Sequence, residues 1–122
     1  MSVHQMVCHL SDSFLVCMGR KPVSHSTSLL QRTIVKWMAL YLPVRWPAGI
    51  RTRPEIDQEL GGTRPLQFAA DLAQLEQLLE LVTARTTSFD WQPHPRFGRM
   101  SDSDWLRWGY LHMDHHLRQF GV

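Results

Sequence analysis

The chain is expected to be all-α, and three features of its 122 residues carry that expectation. Apolar residues recur at three- and four-residue intervals in four stretches, and capping or breaking residues stand at their ends. No stretch shows the alternation of a half-buried strand. A helix with one apolar stripe must bury it, so the expected architecture is a helical bundle. At this length the chain reads as a single domain, residues 1–122, with one core and room for one active pocket.

The first helix is read over Ser2 to Met18. Ser2 caps it, Gln5 completes a capping box, Val3, Met6, Val7, Leu10, Phe14 and Cys17 form its apolar stripe, and Gly19 stops it. His9 falls at the edge of that stripe beside Met6 and Ser13, with Asp12 and Gln5 on the polar side. Taken alone, His9 reads as a boundary histidine half in solvent. Its polar neighbours also make it a place for a third metal ligand, with Asp12 behind it. Cys8 and Cys17 lie on opposite faces of this helix, roughly 13 Å apart along its axis, which is too far for a disulfide.

Arg20 to Thr27 is a polar turn, after which Ser28 to Leu42 has helical spacing at Leu30, Ile34, Trp37, Met38 and Tyr41; Pro43 ends it. Val44 to Pro65 is the longest irregular stretch, and a loop of that length is a functional lid or a solvated loop stitched down by surface ion pairs. Trp46 and Ile50 can anchor it, and Arg51 and Arg53 are candidate clamps for a substrate carboxylate. Leu66 to Ala84 is a strongly amphipathic helix, with Phe68, Leu72, Leu75, Leu79 and Val82 inward and Asp71, Gln74, Gln77 and Glu80 outside or at the boundary. Thr86 to Met100 reads as an ordered connection, with Trp91 and Phe97 as anchors and Pro93 and Pro95 fixing the backbone around His94. His94 has no partner at metal spacing and is left out of the site.

The final helix is expected from Asp102 to about Phe120, capped by Ser101 and Asp104 and closed by Gly121. One stripe of it holds Trp105, Trp108, Gly109, His112, His116 and Gln119. The four-residue spacing stacks His112 and His116 one turn apart on an inward face, where an imidazole must be hydrogen-bonded or metal-bound. Gly109 leaves room beside His112 for a ligand. His115 lies to one side, as a surface residue or a neighbour that orients the pair. Met113 stands where a His-Glu-x-x-His metalloprotease has its Glu, which argues against that class. Together with His9, the pair provides three neutral nitrogens and an open coordination position, as expected of a catalytic zinc-type ion.

Charge and hydropathy narrow the function classes. A formal net charge of +2 with scattered basic residues does not suggest nucleic-acid binding. No apolar run reaches membrane-spanning length and the start lacks the pattern of a signal peptide, so no membrane association and a cytoplasmic location are expected.

The segments Cys8 to Phe14 (CHLSDSF), Arg51 to Thr63 (RTRPEIDQELGGT), His94 to Trp105 (HPRFGRMSDSDW) and His112 to Gly121 (HMDHHLRQFG) carry a further signal. With them the chain resembles an uncharacterised bacterial family related to the DinB-like, metal-binding four-helix bundles. That resemblance implies an up-and-down bundle in which His9, His112 and His116 bind a divalent ion (Zn, Ni, Fe or Mn). It also implies a reaction class, thiol-dependent transfer or isomerisation. Such relatives usually carry another helix before the one bearing His9. Here the chain starts at that helix, so the resemblance implies an apolar groove covered by a second copy, a homodimer, or a shortened start.

Two functional classes follow. One is a metal-dependent transferase or hydrolase acting on a thiol or other small molecule, with Asp12 or His115 as orienting residue or proton shuttle. The other is a non-enzymatic helical bundle that works by protein association, its histidines serving as satisfied polar core.

Overall fold

The computed structural model describes residues 1–84 and 90–122. Residues 85–89, which include the start of the connection expected from Thr86 to Met100, lie outside the described residues. Among the described residues the protein is all-helical with no strand: α1 (Val3–Cys17), α2 (Lys36–Tyr41), α3 (Phe68–Thr83) and α4 (Asp102–Arg118). A π-helical turn, Gln31–Val35, leads into α2, and a 3-10 turn, Pro54–Ile56, sits in the long loop. No helix among these residues is long and apolar enough to cross a membrane. The chain forms two compact units, the first from Met1–Val23 and Thr52–Trp91, the second from Ser24–Arg51 and Gln92–Val122.

In the first unit α1 packs on α3. The start of α1 is fixed by the expected capping box, in which the Ser2 hydroxyl accepts the Gln5 N–H at 3.1 Å and the Gln5 side chain accepts the Ser2 N–H at 2.7 Å. Gly19, at φ 69°, takes the left-handed conformation past its C-terminus. Every residue from Met6 to Phe14 is buried, including His9, Ser11, Asp12 and Ser13. Such a helix has no solvent face for its polar groups, so each needs an internal partner. Ser11, Ser13 and Cys17 bond back to the carbonyls of Val7, His9 and Ser13 at 3.0, 2.9 and 3.0 Å. On α3 the buried residues are Leu75, Leu78 and Val82, while Phe68 is exposed. The inward face is therefore rotated from the expected one, and it brings Asp71 round to face α1.

The long loop contributes Thr52 to Pro65 to this unit, and a buried side chain holds it down. The Asp12 carboxylate accepts from the Thr63 N–H at 2.8 Å, the Thr63 hydroxyl at 2.6 Å and the Gln58 amide at 3.1 Å, and pairs with Lys21 Nζ at 2.7 Å. One internal carboxylate thus ties down the end of the loop. The Gly61–Gly62 pair serves closeness here. A Cβ on Gly62 would stand 2.8 Å from the Asp57 carbonyl carbon and oxygen, which no side chain tolerates.

In the second unit α2 packs on α4. Its contact rests on Leu40, which is fully buried, on the Arg107 guanidinium donating to the Leu40 carbonyl, and on the Tyr41 hydroxyl donating to Asp104. The apolar stripe expected to face the core does not. Leu30, Ile34, Trp37, Met38 and Tyr41 are all exposed. Helical spacing shows that these residues share a face; it does not show that anything covers it.

The described part of the segment before α4 is ordered, as expected. His94 and Gly98 exchange two backbone hydrogen bonds, at 2.8 and 2.9 Å, closing a tight turn. Within it the His94 ring stacks on Phe97 with centroids 4.5 Å apart and lies 5.5 and 5.3 Å from the rings of Trp105 and Trp108. His94, set aside as a loop histidine, is part of the aromatic core of this unit. Its Nδ1 accepts the backbone N–H groups of Arg96 and Phe97, each at 3.1 Å.

Candidate metal centre

α4 is built to present its histidines in a fixed place. The Ser101 hydroxyl accepts the Asp104 N–H at 3.1 Å, the Asp104 carboxylate accepts the Ser101 N–H at 3.4 Å, and Asp102 and Asp104 occupy the positive end of the helix dipole. About three and four turns later, His112 and His116 fall on one buried face, as the four-residue spacing requires. Their Nε2 atoms are 3.0 Å apart. The Trp108 ring lies 4.7 Å from the His112 ring and Trp46 lies 6.2 Å from it, so apolar surface walls the pair on two sides. Trp46 is the anchor expected of the loop, its indole N–H donating to the Ala39 carbonyl at 2.8 Å.

The far nitrogen of His116 is also occupied. Its Nδ1 stands 3.2 Å from Gln119 Oε1, and the nitrogen of the same amide stands 3.2 Å from His115 Nε2. An amide oxygen only accepts, so Nδ1 of His116 carries the ring proton and Nε2 is left with its lone pair directed towards His112. Gln119 thus fixes the tautomer of one candidate ligand and links it to His115. The sequence placed Gln119 on the same stripe without giving it a task. The available signal was its spacing, three residues from His116 and four from His115.

The structure brings His112 and His116 together, both in the second unit. His9 belongs to the first unit, on α1, and its placement corrects the boundary reading: it is 4% exposed. Its Nδ1 lies 2.8 Å from the carbonyl oxygen of Ile56. A carbonyl cannot donate, so this nitrogen carries the proton and Nε2 is the lone-pair nitrogen, the same tautomer as His116. Burial pushes the His9 imidazole below its ordinary value, against the opposing pull of the Ile56 carbonyl and the charges of Asp12 and Asp57. The ring is therefore neutral at pH 7, the form a metal ligand requires.

The other candidates fare differently. The carboxylate of Asp12 is bonded to Thr63, Gln58 and Lys21, which makes it the clamp of the loop. His115 is half-buried, its ring 5.1 Å from that of His116 and 6.0 Å from that of Trp46. Arg51 is exposed, and its carbonyl accepts from the Arg96 guanidinium at 3.3 Å. Neither cysteine is a ready nucleophile. Burial, followed by the Asp71 charge and hydrogen bond, pushes the Cys8 thiol up to about 11, and burial raises the Cys17 thiol well above its usual range.

Fold and site together define an all-helical protein with a buried pair of histidines on its last helix, and sequence comparison supplies its family. Residues 2–121 match the family described as "Protein of unknown function (DUF1569)", and the chain belongs to that family. No curated protein and no solved structure matches it.

Proposed function

We propose that this protein binds one divalent metal ion through His112, His116 and His9 and acts as a DinB-like metal-dependent transferase or hydrolase on a thiol or other small-molecule substrate. The observation that carries the reading is the buried Nε2 to Nε2 approach of 3.0 Å between His112 and His116, with Gln119 holding the His116 proton on the opposite nitrogen. Support for His9 as the third ligand comes from its own tautomer, set by the Ile56 carbonyl, and from the resemblance of its segment to the DinB-like proteins. An all-imidazole set suits Zn, Ni or Fe, with Mn a harder fit. A divalent ion there would supply Lewis acidity to a thiol or water substrate.

The chain's own residues do the remaining work. Ile56 and Gln119 keep His9 and His116 in the tautomer that offers Nε2. Trp46 and Trp108 exclude water around His112, which strengthens any charge interaction there. His115, half-buried and joined to His116 through the Gln119 amide, would pass a proton between the site and solvent. Since both cysteine thiols are held protonated, a reacting thiol would come from the substrate.

A second reading is favoured by one observation, the uncovered stripe of Leu30, Ile34, Trp37, Met38 and Tyr41. On that reading the histidines are satisfied polar core and the protein works by association, its partner a second copy of this chain covering the stripe. One experiment separates the two. Protein purified without an affinity tag is analysed for metal and sedimented, alongside His116→Ala. About one equivalent of Zn, Ni, Fe or Mn, abolished by the substitution, supports the metal centre. A metal-free protein whose stability is unchanged by His116→Ala would sink it, and a dimer broken by Trp37→Ser would then support association.

A further inference from the structure

We propose a second metal site, made by His4, Cys8 and Asp71, that takes a borderline divalent cation, zinc above all. One ligand atom from each of these residues lies within 4.8 Å of the others. The site is independent of the histidine pair on α4 and lies wholly within the first unit.

The argument begins with helical geometry. His4 and Cys8 are four residues apart on α1, so their side chains stack one turn apart on the same face. α3 brings Asp71 to that face, where its Oδ2 lies 2.6 Å from His4 Nε2. The three donors are an imidazole nitrogen, a thiol sulphur and a carboxylate oxygen, each among the ordinary ligands of zinc. Three side chains leave a fourth tetrahedral position. It opens towards the surface, since the His4 and Asp71 side chains retain 26% and 17% of their exposure while Cys8 is buried.

The surroundings already orient two of the three ligands. The Leu66 N–H donates to Asp71 Oδ2 at 3.1 Å, fixing the carboxylate at the start of α3. The Phe68 ring meets the His4 ring edge to face with centroids 5.3 Å apart, holding the imidazole plane. Supporting contacts of this kind accompany metal ligands generally. A His4–Asp71 pair alone would need neither a thiol beside it nor an oriented ring.

Binding balances without any redox change. The S–H bond of Cys8 breaks, its proton passes to solvent and the sulphur–metal bond forms. On His4 the ring proton moves to Nδ1, freeing the Nε2 lone pair, and the Asp71 carboxylate binds as the anion it already is.

Cobalt(II) chloride is the probe, because a cobalt–thiolate bond gives an intense near-ultraviolet charge-transfer band that imidazole and carboxylate ligands do not. Titration of the full chain with cobalt at pH 8 should produce this band and saturate it at one equivalent of sulphur-bound metal. Cys8→Ser should remove the band, whereas Cys17→Ser and His116→Ala should leave it in place. The first control excludes the other thiol and the second separates this site from the centre on α4. Should Cys8→Ser fail to fold, His4→Ala at the partly exposed rim should weaken cobalt binding, read from the same band, by about tenfold or more. Absence of the band at saturating cobalt, its survival in Cys8→Ser, or unchanged affinity in His4→Ala would each overturn the proposal.

Discussion

Replacing Asp12 by Ala tests the internal architecture of the first unit most directly. The carboxylate is fully buried and receives the Thr63 N–H, the Thr63 hydroxyl and the Gln58 amide at 2.8, 2.6 and 3.1 Å, with Lys21 Nζ at 2.7 Å. A hydrogen bond to a charged group contributes about 1.5–3 kcal/mol net, and these bonds share one acceptor group, so their losses do not add in full. Breaking a buried ion pair by removing one partner costs about 3–5 kcal/mol, because the other charge stays desolvated. Lys21 keeps 19% of its side-chain exposure and can partly rehydrate. The lower half of that range is therefore expected, about 3–4 kcal/mol for Asp12→Ala. Asp12→Asn keeps an acceptor oxygen for Thr63 and should cost about 2–3 kcal/mol, and Thr63→Val, which removes the hydroxyl bonded to Asp12 and Lys21, about 1.5–2 kcal/mol. Urea denaturation reads the order through the midpoint at constant slope. In a thermal scan about 3–4 kcal/mol corresponds to a fall in Tm of roughly 10–20 °C for a chain of this size. Because the clamped loop also carries the Ile56 carbonyl that orients His9, hydrogen exchange at the amides of residues 56–63 should accelerate in Asp12→Ala. The clamp is refuted if all three variants stay within about 0.5 kcal/mol of the parent chain, the range of surface substitutions.

Two further outcomes follow from local geometry. Gly98 and Gly49 both hold left-handed backbone, φ 69° and 79°, yet a Cβ on Gly98 would stand 2.9 Å from Arg32 Cδ while one on Gly49 meets nothing within 4 Å. Each Gly→Ala change should cost about 1–2 kcal/mol of backbone strain, with about 1 kcal/mol more at Gly98, and equal urea midpoints would show that Arg32 does not pack there. The Leu66 N–H, and then His4, hold the Asp71 carboxyl below its usual range. A depressed folded pKa stabilises the native state above the unfolded value of about 4, and that contribution is lost as pH falls through the folded value. The stability advantage of the parent chain over Asp71→Asn, followed by urea midpoints, should accordingly shrink between about pH 5 and pH 2; an advantage independent of pH would contradict the assignment.

What the sequence disclosed depended on whether local spacing was enough to disclose it. The helices and the capping boxes at Ser2 and Ser101 are set by neighbours within four residues, and the structure reproduces them. The His112–His116 pair is legible for the same reason, since one turn of helix is all that brings those rings together. Which side of a helix faces a partner is a different kind of fact. The stripe on Ser28 to Leu42 has the spacing of a core face and remains exposed, while Leu40, outside the stripe, is the buried residue. The place of His94 in the aromatic core is not legible in the sequence because its partners, Phe97, Trp105 and Trp108, are gathered by a turn whose closure depends on two backbone bonds and on Gly98 at φ 69°.

The first helix shows why the richest chemistry was also the hardest to read. An amphipathic reading assigns polar residues to solvent, and on that basis His9 and Asp12 stood at a boundary. In the folded chain α1 is enclosed from Met6 to Phe14, so polarity there marks the points where the helix reaches another part of the protein. Ser11, Ser13 and Cys17 answer the requirement by bonding back to their own helix, and they reach nothing else by those bonds. The remainder reach outward: His4 and Cys8 to Asp71, His9 to the Ile56 carbonyl, Asp12 to Thr63. Burying three of these groups, Cys8, His9 and Asp12, within five residues carries a desolvation cost that apolar side chains in the same positions would avoid. Their burial in an enclosed helix is the physical reason to look for ions at its side chains, with the cobalt and metal analyses as the decisive measurements.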